Sequence, residues 1–318
     1  MCSSDLRGAT GAARGRSPRL LGVFAAIGAA LGWGLSTTTS DFVLSNHVAN
    51  DTFLVIELAV GALALLALGA LRGELAGFRF PGLARAAGTG LIEPWGAYTL
   101  GNIGIIFSSG AFVALVSALN PVIVAILAAP LLGERVSRTS ALLMILSLAG
   151  VGLVIGGDAF NGALDPIGVV FSFLGLFCGA AYVLLSSKLV RTIPVLPLVT
   201  AQLVVAMLAS SAVMFVRVAV LHQEAGLPST PLLWVAVGAT GILGASAPFI
   251  LYLEATRRLP TTIVSQFTAL VPVIALLGGV ALLGDRPSGF QLVGTAVVIG
   301  ALIALARYAQ QSSGRSEA

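Results

Sequence analysis

The chain has 318 residues, of which 57% are hydrophobic and only 9% charged, with a mean hydropathy of +1.01. A soluble domain carries about 25% charged residues, so this composition excludes an ordinary soluble globule and points to an integral membrane protein. The formal net charge of +4 brings nucleic acid to mind, but the basic residues are scattered and no basic stripe carries interleaved aromatics, which excludes that partner.

Residues 1–18 form a polar, Arg-rich tail and 309–318 a second polar tail. The run that starts at Arg19 is too long for a signal-peptide core and lacks a small-residue cleavage site, so it reads as a retained first span. Apolar runs bounded by charge, proline or polar clusters then predict ten spans, at 20–38, 53–71, 86–107, 110–132, 139–157, 166–187, 195–216, 232–253, 261–283 and 288–306. Backbone polar groups in lipid must be satisfied internally, and the alternation a barrel needs is absent, so the spans are helices and the fold class is an all-α integral membrane protein. Ten spans place both termini on one side. With the termini in the cytoplasm, all of the 17 basic residues except Arg217 and Arg286 face inward, as basic loops do. A single lysine, Lys188, stands among those 17, which suggests a GC-rich bacterial source and hence the inner membrane.

The chain also repeats itself. "LNPVIVAILAAPLLGERVS" lies against "LVPVIALLGGVALLGDRPS" at one offset, so that Pro121 matches Pro272, Gly133 matches Gly284, Glu134 matches Asp285 and Ser137 matches Ser288. The same offset pairs Gly90 with Gly241 and Tyr98 with Phe249. A slightly shorter one pairs Trp33-Gly34 with Cys178-Gly179 and Glu57 with Gln202. Each half then holds five helices, at 19–157 and 158–308. Five is odd, so the second half enters the membrane inverted, an arrangement that concentrates in secondary transporters.

With "LGWG" in the first span and a proline followed by "GE-R-S" or "GD-R-S" closing the fourth and ninth, the chain resembles the drug/metabolite transporter superfamily, EamA-type branch, over about residues 20–308. The resemblance implies a membrane carrier for small organic solutes, commonly an exporter of amino acids or other metabolites, with a central cavity lined by helices 1, 3, 4, 6, 8 and 9. One position departs: where family members often carry Arg in the second helix, this chain has Glu57 in "LVIELAVG".

Candidate site residues follow from polarity in the wrong solvent. Glu93 in "GLIEPWGAY" lies about 10 Å inside the expected boundary of the third span, where charge is costly and functional by default. A carboxyl there can take up and release a proton, and Glu93 is the candidate for proton linkage; the alternative is a neutral, hydrogen-bonded structural group. Read as a straight helix at about 100° per residue, Glu93 falls beside Gly90, Ala97, Gly101 and Gly104, while Trp95, Tyr98 and Asn102 fall toward the opposite edge and form a binding wall. The expected cavity set is Trp33, Trp95, Tyr98, Asn102, Asn120, Tyr182, Tyr252 and Gln266, with aromatic anchoring at the membrane interface as the competing role. Pro94, Pro121 and Pro272 are the helix-break residues; the last two free the carbonyls of Ser117 and Thr268, which line a site or simply kink the helix. Glu134 and Asp285 read as turn chemistry, with Gly133 and Gly284 ending one helix, Ser137 and Ser288 capping the next, and the acid favouring the next helix's dipole. Glu57, about 6–8 Å inside the outer boundary by helix rise, is expected to snorkel or pair.

Cys2 and Cys178 predict no disulfide, and no Cys/His spacing predicts a metal or cofactor. No Walker motif or nucleophile elbow occurs, so the chain is expected not to be an enzyme and not to be driven directly by ATP. No Lys or Arg lies deep in a span, which disfavours phosphate-bearing solutes. The partners expected are a neutral or zwitterionic small-molecule solute and the lipid bilayer, with a second copy of the chain as a candidate for a homodimer. A sensor and a passive channel stand as the alternatives.

Overall fold

A computed structural model of the chain describes residues 6–108, 113, 116–134, 136–155, 165–283 and 287–311. The described residues are helical with no strand. In chain order the helices are α1 (Leu6–Ser45), α2 (Asn50–Leu71), α3 (Leu83–Ala87), α4 (Ala97–Phe107), α5 (Asn120–Leu132), α6 (Arg138–Ile155), α7 (Pro166–Leu189), α8 (Val195–Phe215), α9 (Pro231–Thr240), α10 (Ala247–Thr256), α11 (Thr261–Gln266), α12 (Leu270–Leu283) and α13 (Gly289–Gln311). Their ends follow local chemistry. Asp165 accepts a hydrogen bond from the Ile167 amide at 2.8 Å, with Pro166 opening α7. Thr230 accepts from the Leu233 amide at 3.3 Å, with Pro231 opening α9. Both are capping residues followed by a proline where no donor is needed. Gly133 ends α5 at φ 70°, the left-handed closing position that glycine adopts without strain. Ser137 caps α6 through the Ser140 amide at 3.0 Å, as its sequence pattern predicts.

Eight helical stretches among the described residues are long and apolar enough to cross a membrane. The two expected spans outside that set are 86–107 and 110–132. The first is interrupted: α3 runs into a tight turn at Gly88–Leu91 and a widened, π-type turn at Ile92–Gly96 before α4 begins. Inside that turn Glu93 has φ −151° and ψ 133°, extended backbone in the middle of a helix. Of the second expected span the described helix is α5, opened by Asn120 and Pro121. Three further predicted residues, Gly284, Asp285 and Arg286, lie outside the described residues.

The breaks recur in the second half of the chain. A π-type turn at Gly241–Ser246 separates α9 from α10, and a tight turn at Phe267–Ala269 separates α11 from α12. In water such breaks are cheap. In a bilayer, freed backbone groups must face protein or a cavity, and the residues buried at the second π-type turn, Gly241, Gly244, Ala245 and Ser246, meet that requirement.

The helix pairs are regular. α2 packs on α8, α4 on α7, α6 on α13, and α1 lies against both α10 and α12. Large apolar side chains such as Phe24, Leu63, Leu142, Val235 and Phe290 point away from the packed interior, the surface a bilayer covers. α1 approaches its neighbours at the two glycines of "LGWG". A Cβ on Gly32 would lie 2.6 Å from the Leu243 carbonyl oxygen and from Pro248 Cγ, and one on Gly34 2.6 Å from Ile274 Cβ. Small residues permit this backbone approach in membrane bundles. Gly34→Val is therefore expected to cost about 1–3 kcal/mol by overpacking. A lowered thermal midpoint of the purified protein in detergent is the expected readout, and an unchanged midpoint would show that the contact yields freely.

Candidate functional site

A cavity of about 290 Å³, at the low end for small-ligand sites, opens where the interrupted helices meet. α1 contributes Trp33, Ser36, Thr37 and Ser40; α2 contributes Phe53 and Glu57; the third span contributes Glu93, Tyr98, Gly101 and Asn102. Ser117 and Asn120 come from the start of the α5 segment, Ser172 and Tyr182 from α7, Tyr252 from α10, and Thr268 and Pro272 from the α11–α12 junction. Of the expected cavity set, Trp33, Tyr98, Asn102, Asn120, Tyr182 and Tyr252 share this wall, and Glu93 joins them.

Two expected members do not line it. Gln266 is buried and its amide nitrogen donates to the Ser140 hydroxyl at 2.8 Å and the Thr262 carbonyl at 3.1 Å, joining α11 to α6. Trp95 packs part-buried against the core. The angular reading of the third span fails at Trp95 for a physical reason: it assumes an unbroken helix, and the extended residue at Glu93 resets the direction of the chain. Glu93 lines the cavity together with Ala97 and Gly101 of the small-residue edge, while Trp95 leaves the wall.

The prolines are also revised. Pro121 stands in the first turn of α5 and Pro272 in the first turn of α12, where a missing amide costs nothing. Pro121 begins its helix after a turn, and Pro272 follows a tightened turn within one helical span. Pro94 lies buried within the π-type turn. Ser117 and Thr268, the residues whose carbonyls the prolines were expected to free, both reach the cavity wall.

The aromatic wall is organised around a residue that does not itself line the cavity. Phe249 is 1% exposed and meets Trp33 edge-on at 5.5 Å, Tyr182 edge-on at 5.5 Å and Tyr98 tilted at 6.2 Å between ring centroids. Trp33 and Tyr252 stand 5.4 Å apart. Edge contacts of this kind hold rings in fixed orientations. The Tyr98 hydroxyl then donates to the Gly244 carbonyl at 3.0 Å, so the residue just past the first helix break satisfies an acceptor inside the second. Asn102 is tied the other way, its amide donating to Asn50 Oδ1 at the start of α2 at 2.6 Å.

Glu57 overturns its expectation most clearly. It neither snorkels nor pairs: the side chain is 1% exposed, it lines the cavity, and neither carboxyl oxygen has a hydrogen-bond partner among the described residues. The nearby Thr240 hydroxyl faces it but donates to the Val237 carbonyl at 2.7 Å. A Cβ on Gly244 would lie 2.9 Å from Glu57 Oε1, so the backbone of the second break closes over the carboxyl. The signal in the sequence was the repeat itself, which aligns Glu57 with Gln202, two polar groups at matching places in apolar helices. Depth along the helix pointed elsewhere, because depth says nothing about which way a side chain faces.

Gln202 is the buried junction of the second half. Its carbonyl oxygen accepts from Tyr182 at 3.0 Å, and its nitrogen donates to Thr89 at 2.7 Å and to Ser186 at 3.3 Å. Further polar contacts join the halves at their ends. Arg217 pairs with Asp51 at 2.9 Å and donates to Thr52 at 3.1 Å and to the Ala225 carbonyl at 3.0 Å. The carboxylate of Glu134 accepts from the Thr261 and Thr262 amides at 2.8 and 2.9 Å. The acid was expected to favour the dipole of the next helix, α6; it caps α11 in the other half instead.

The fold and the cavity describe a multi-pass membrane transporter. The EamA-like transporter family matches residues 20–156 and 166–307, and the chain belongs to it. A relative in Bacillus subtilis (strain 168), named "Uncharacterized transporter YyaM", is 26% identical over 219 residues, 66% of this chain and 68% of that protein. A solved structure titled only "Crystal structure of protein" shares the fold at a TM-score of 0.74 with 21% identity, covering 93% of this chain and 98% of its own.

Replacing Gln202 by Leu strands the Tyr182 hydroxyl in a buried site. The expected cost is about 1–3 kcal/mol of stability, read as a lower thermal midpoint. A Gln202→Glu protein is expected to keep more of it, because an acceptor for Tyr182 remains; equal loss in both would mean that the junction depends on packing alone.

Proposed function

We propose that the chain is a secondary transporter of the bacterial inner membrane that exports or exchanges small organic metabolites by alternating access. The observation that carries this reading is a cavity whose wall is shared between the two family-matched segments, with Trp33, Glu57 and Glu93 from the first and Tyr182, Tyr252 and Pro272 from the second. The wall is mostly apolar and aromatic with a few convergent polar groups, the make-up of a small-molecule site.

Ten spans in two inverted halves, 19–157 and 158–308, with both termini in the cytoplasm, is the topology this proposal adopts. The pattern of helix packing supports it. Exchanging the two halves carries the contact of α1 with α10 and α12 onto the contact of α7 with α4 and α5, and leaves α2 on α8 and α6 on α13 as self-matching pairs. The π-type turns before α4 and before α10 fall at matching places in the two aligned sequences. Similar halves of opposite orientation exchange inward-open and outward-open shapes by rocking about a shared site. In this topology the Arg217–Asp51 pair lies at the outer end and the Glu134 cap of α11 at the inner end. Each would have to open for its side of the cavity to be exposed. Arg217, one of the two basic residues that face outward here, is held by an acidic partner rather than left to the positive-inside bias.

Glu93 is the proposed proton carrier. It lies in the cavity wall at a break in the helix, where a change of charge alters the contacts open to solute. In liposomes holding the purified protein, solute counterflow is expected to saturate; flux that rises linearly with concentration would make the protein a channel. A pH gradient is expected to change the rate of net transport severalfold. Glu93→Gln is expected to abolish that response in the counterflow it retains, and a variant with normal pH dependence would remove the proton role from this residue.

A further inference from the structure

Glu57 and Glu93 share one small cavity. The described residues that line it include five titratable side chains, these two and Tyr98, Tyr182 and Tyr252, and no Lys, Arg or His. Glu57 is 1% exposed with both oxygens unpartnered. Two more buried polar atoms on the same wall, Asn120 Oδ1 and the Tyr252 hydroxyl, also lack a partner. Glu57 and Asn120 present acceptors, and the hydroxyl can accept as well.

A buried carboxyl without a hydrogen bond is expensive, and its charge more so, unless a partner reaches it. Among the described residues none makes a hydrogen bond to Glu57. Thr240 gives its hydrogen to Val237, and Tyr98 gives its own to Gly244. Gly244 presents only backbone, and a Cβ there would collide with the Ser36 hydroxyl. The cavity thus holds unfilled acceptors, acidic groups and aromatic faces, with no cation among its described lining residues to receive an acidic group from a solute.

We propose that the cavity selects a net-cationic organic amine, an ammonium carried on an apolar or aromatic body and without a carboxylate, and that Glu57 and Glu93 receive the ammonium group. The ammonium supplies the donors that Glu57 lacks, in a charge-assisted bond that water-filled space would not match. The faces of Trp33, Tyr98, Tyr182 and Tyr252 suit the same charge and the apolar body. A zwitterionic amino acid fits worse, because its carboxylate would enter a site with two acids and no base. This rests on the transporter reading and replaces the neutral or zwitterionic solute class expected from sequence with a cationic one.

The test uses a set of probes that share a phenethyl body and differ in the polar groups it carries: phenethylamine, phenethyl alcohol, phenylalanine and 3-phenylpropionate. Equilibrium binding to the full-length protein in detergent at neutral pH reads selectivity without requiring transport, so it can fail while counterflow succeeds, and the reverse. Phenethylamine is expected to bind about tenfold or more tightly than phenylalanine and the alcohol, the scale of one charge-assisted hydrogen bond, with the propionate weakest. Glu57→Gln is expected to remove most of the preference for amine over alcohol while leaving alcohol binding nearly unchanged. Phenylalanine binding as tightly as the amine would overturn the proposal, as would no detectable amine binding or an amine preference that survives in both Glu57→Gln and Glu93→Gln. The wild-type series decides the charge preference even if a variant fails to fold.

Discussion

One hydrogen bond shows how the interior is organised: the Tyr98 hydroxyl on the Gly244 carbonyl, at 3.0 Å. It joins two helix breaks that a membrane protein can keep only if their freed backbone groups are satisfied from within. The first break turns Glu93 toward the cavity. The second brings its backbone close enough to Ser36 and Glu57 that Gly244 has no room for a side chain. Without these breaks the third and eighth expected spans would be unbroken helices, and Trp95 would stay on the side of the helix that carries Tyr98 and Asn102. Local failure of the helix is what makes the site.

A second constraint acts through the aromatic cluster. Phe249 is fully buried and fixes Trp33, Tyr98 and Tyr182 by edge contacts. Glycines on either side of Trp33 let α1 come close to the α9–α10 break and to α12. The motif that carried the family resemblance, "LGWG", thus has a physical role. Two small residues allow the approach, and the tryptophan between them reaches the cavity.

Much of this was legible in the chain. Composition and apolar runs give a helical membrane protein, and the polar and aromatic residues in apolar surroundings give part of the cavity wall: Trp33, Glu93, Tyr98, Asn102, Asn120, Tyr182 and Tyr252. Direction was not legible. Trp95 and Gln266 were drawn to the cavity because they are polar or aromatic at the right depth, yet one packs on the core and the other bonds to Ser140. Glu57 was assigned to the boundary for the same reason in reverse. Glu134 matched a turn pattern, and the turn is there, but its carboxylate serves a helix more than a hundred residues away in sequence, as only the tertiary fold can reveal.

The central claim is that one cavity is reached alternately from the two sides of the membrane. The direct measurement places a single cysteine at Ser36, in a protein without Cys2 and Cys178, and follows its modification by a membrane-impermeant thiol reagent in vesicles of each orientation. The account predicts labelling from both sides, with a saturating amine slowing both reactions and, in a second protein that also carries Asp51→Cys and Arg217→Cys joined as a disulfide, only the outer one blocked. Labelling from one side alone, or labelling from the outside that the cross-link leaves unchanged, would contradict it.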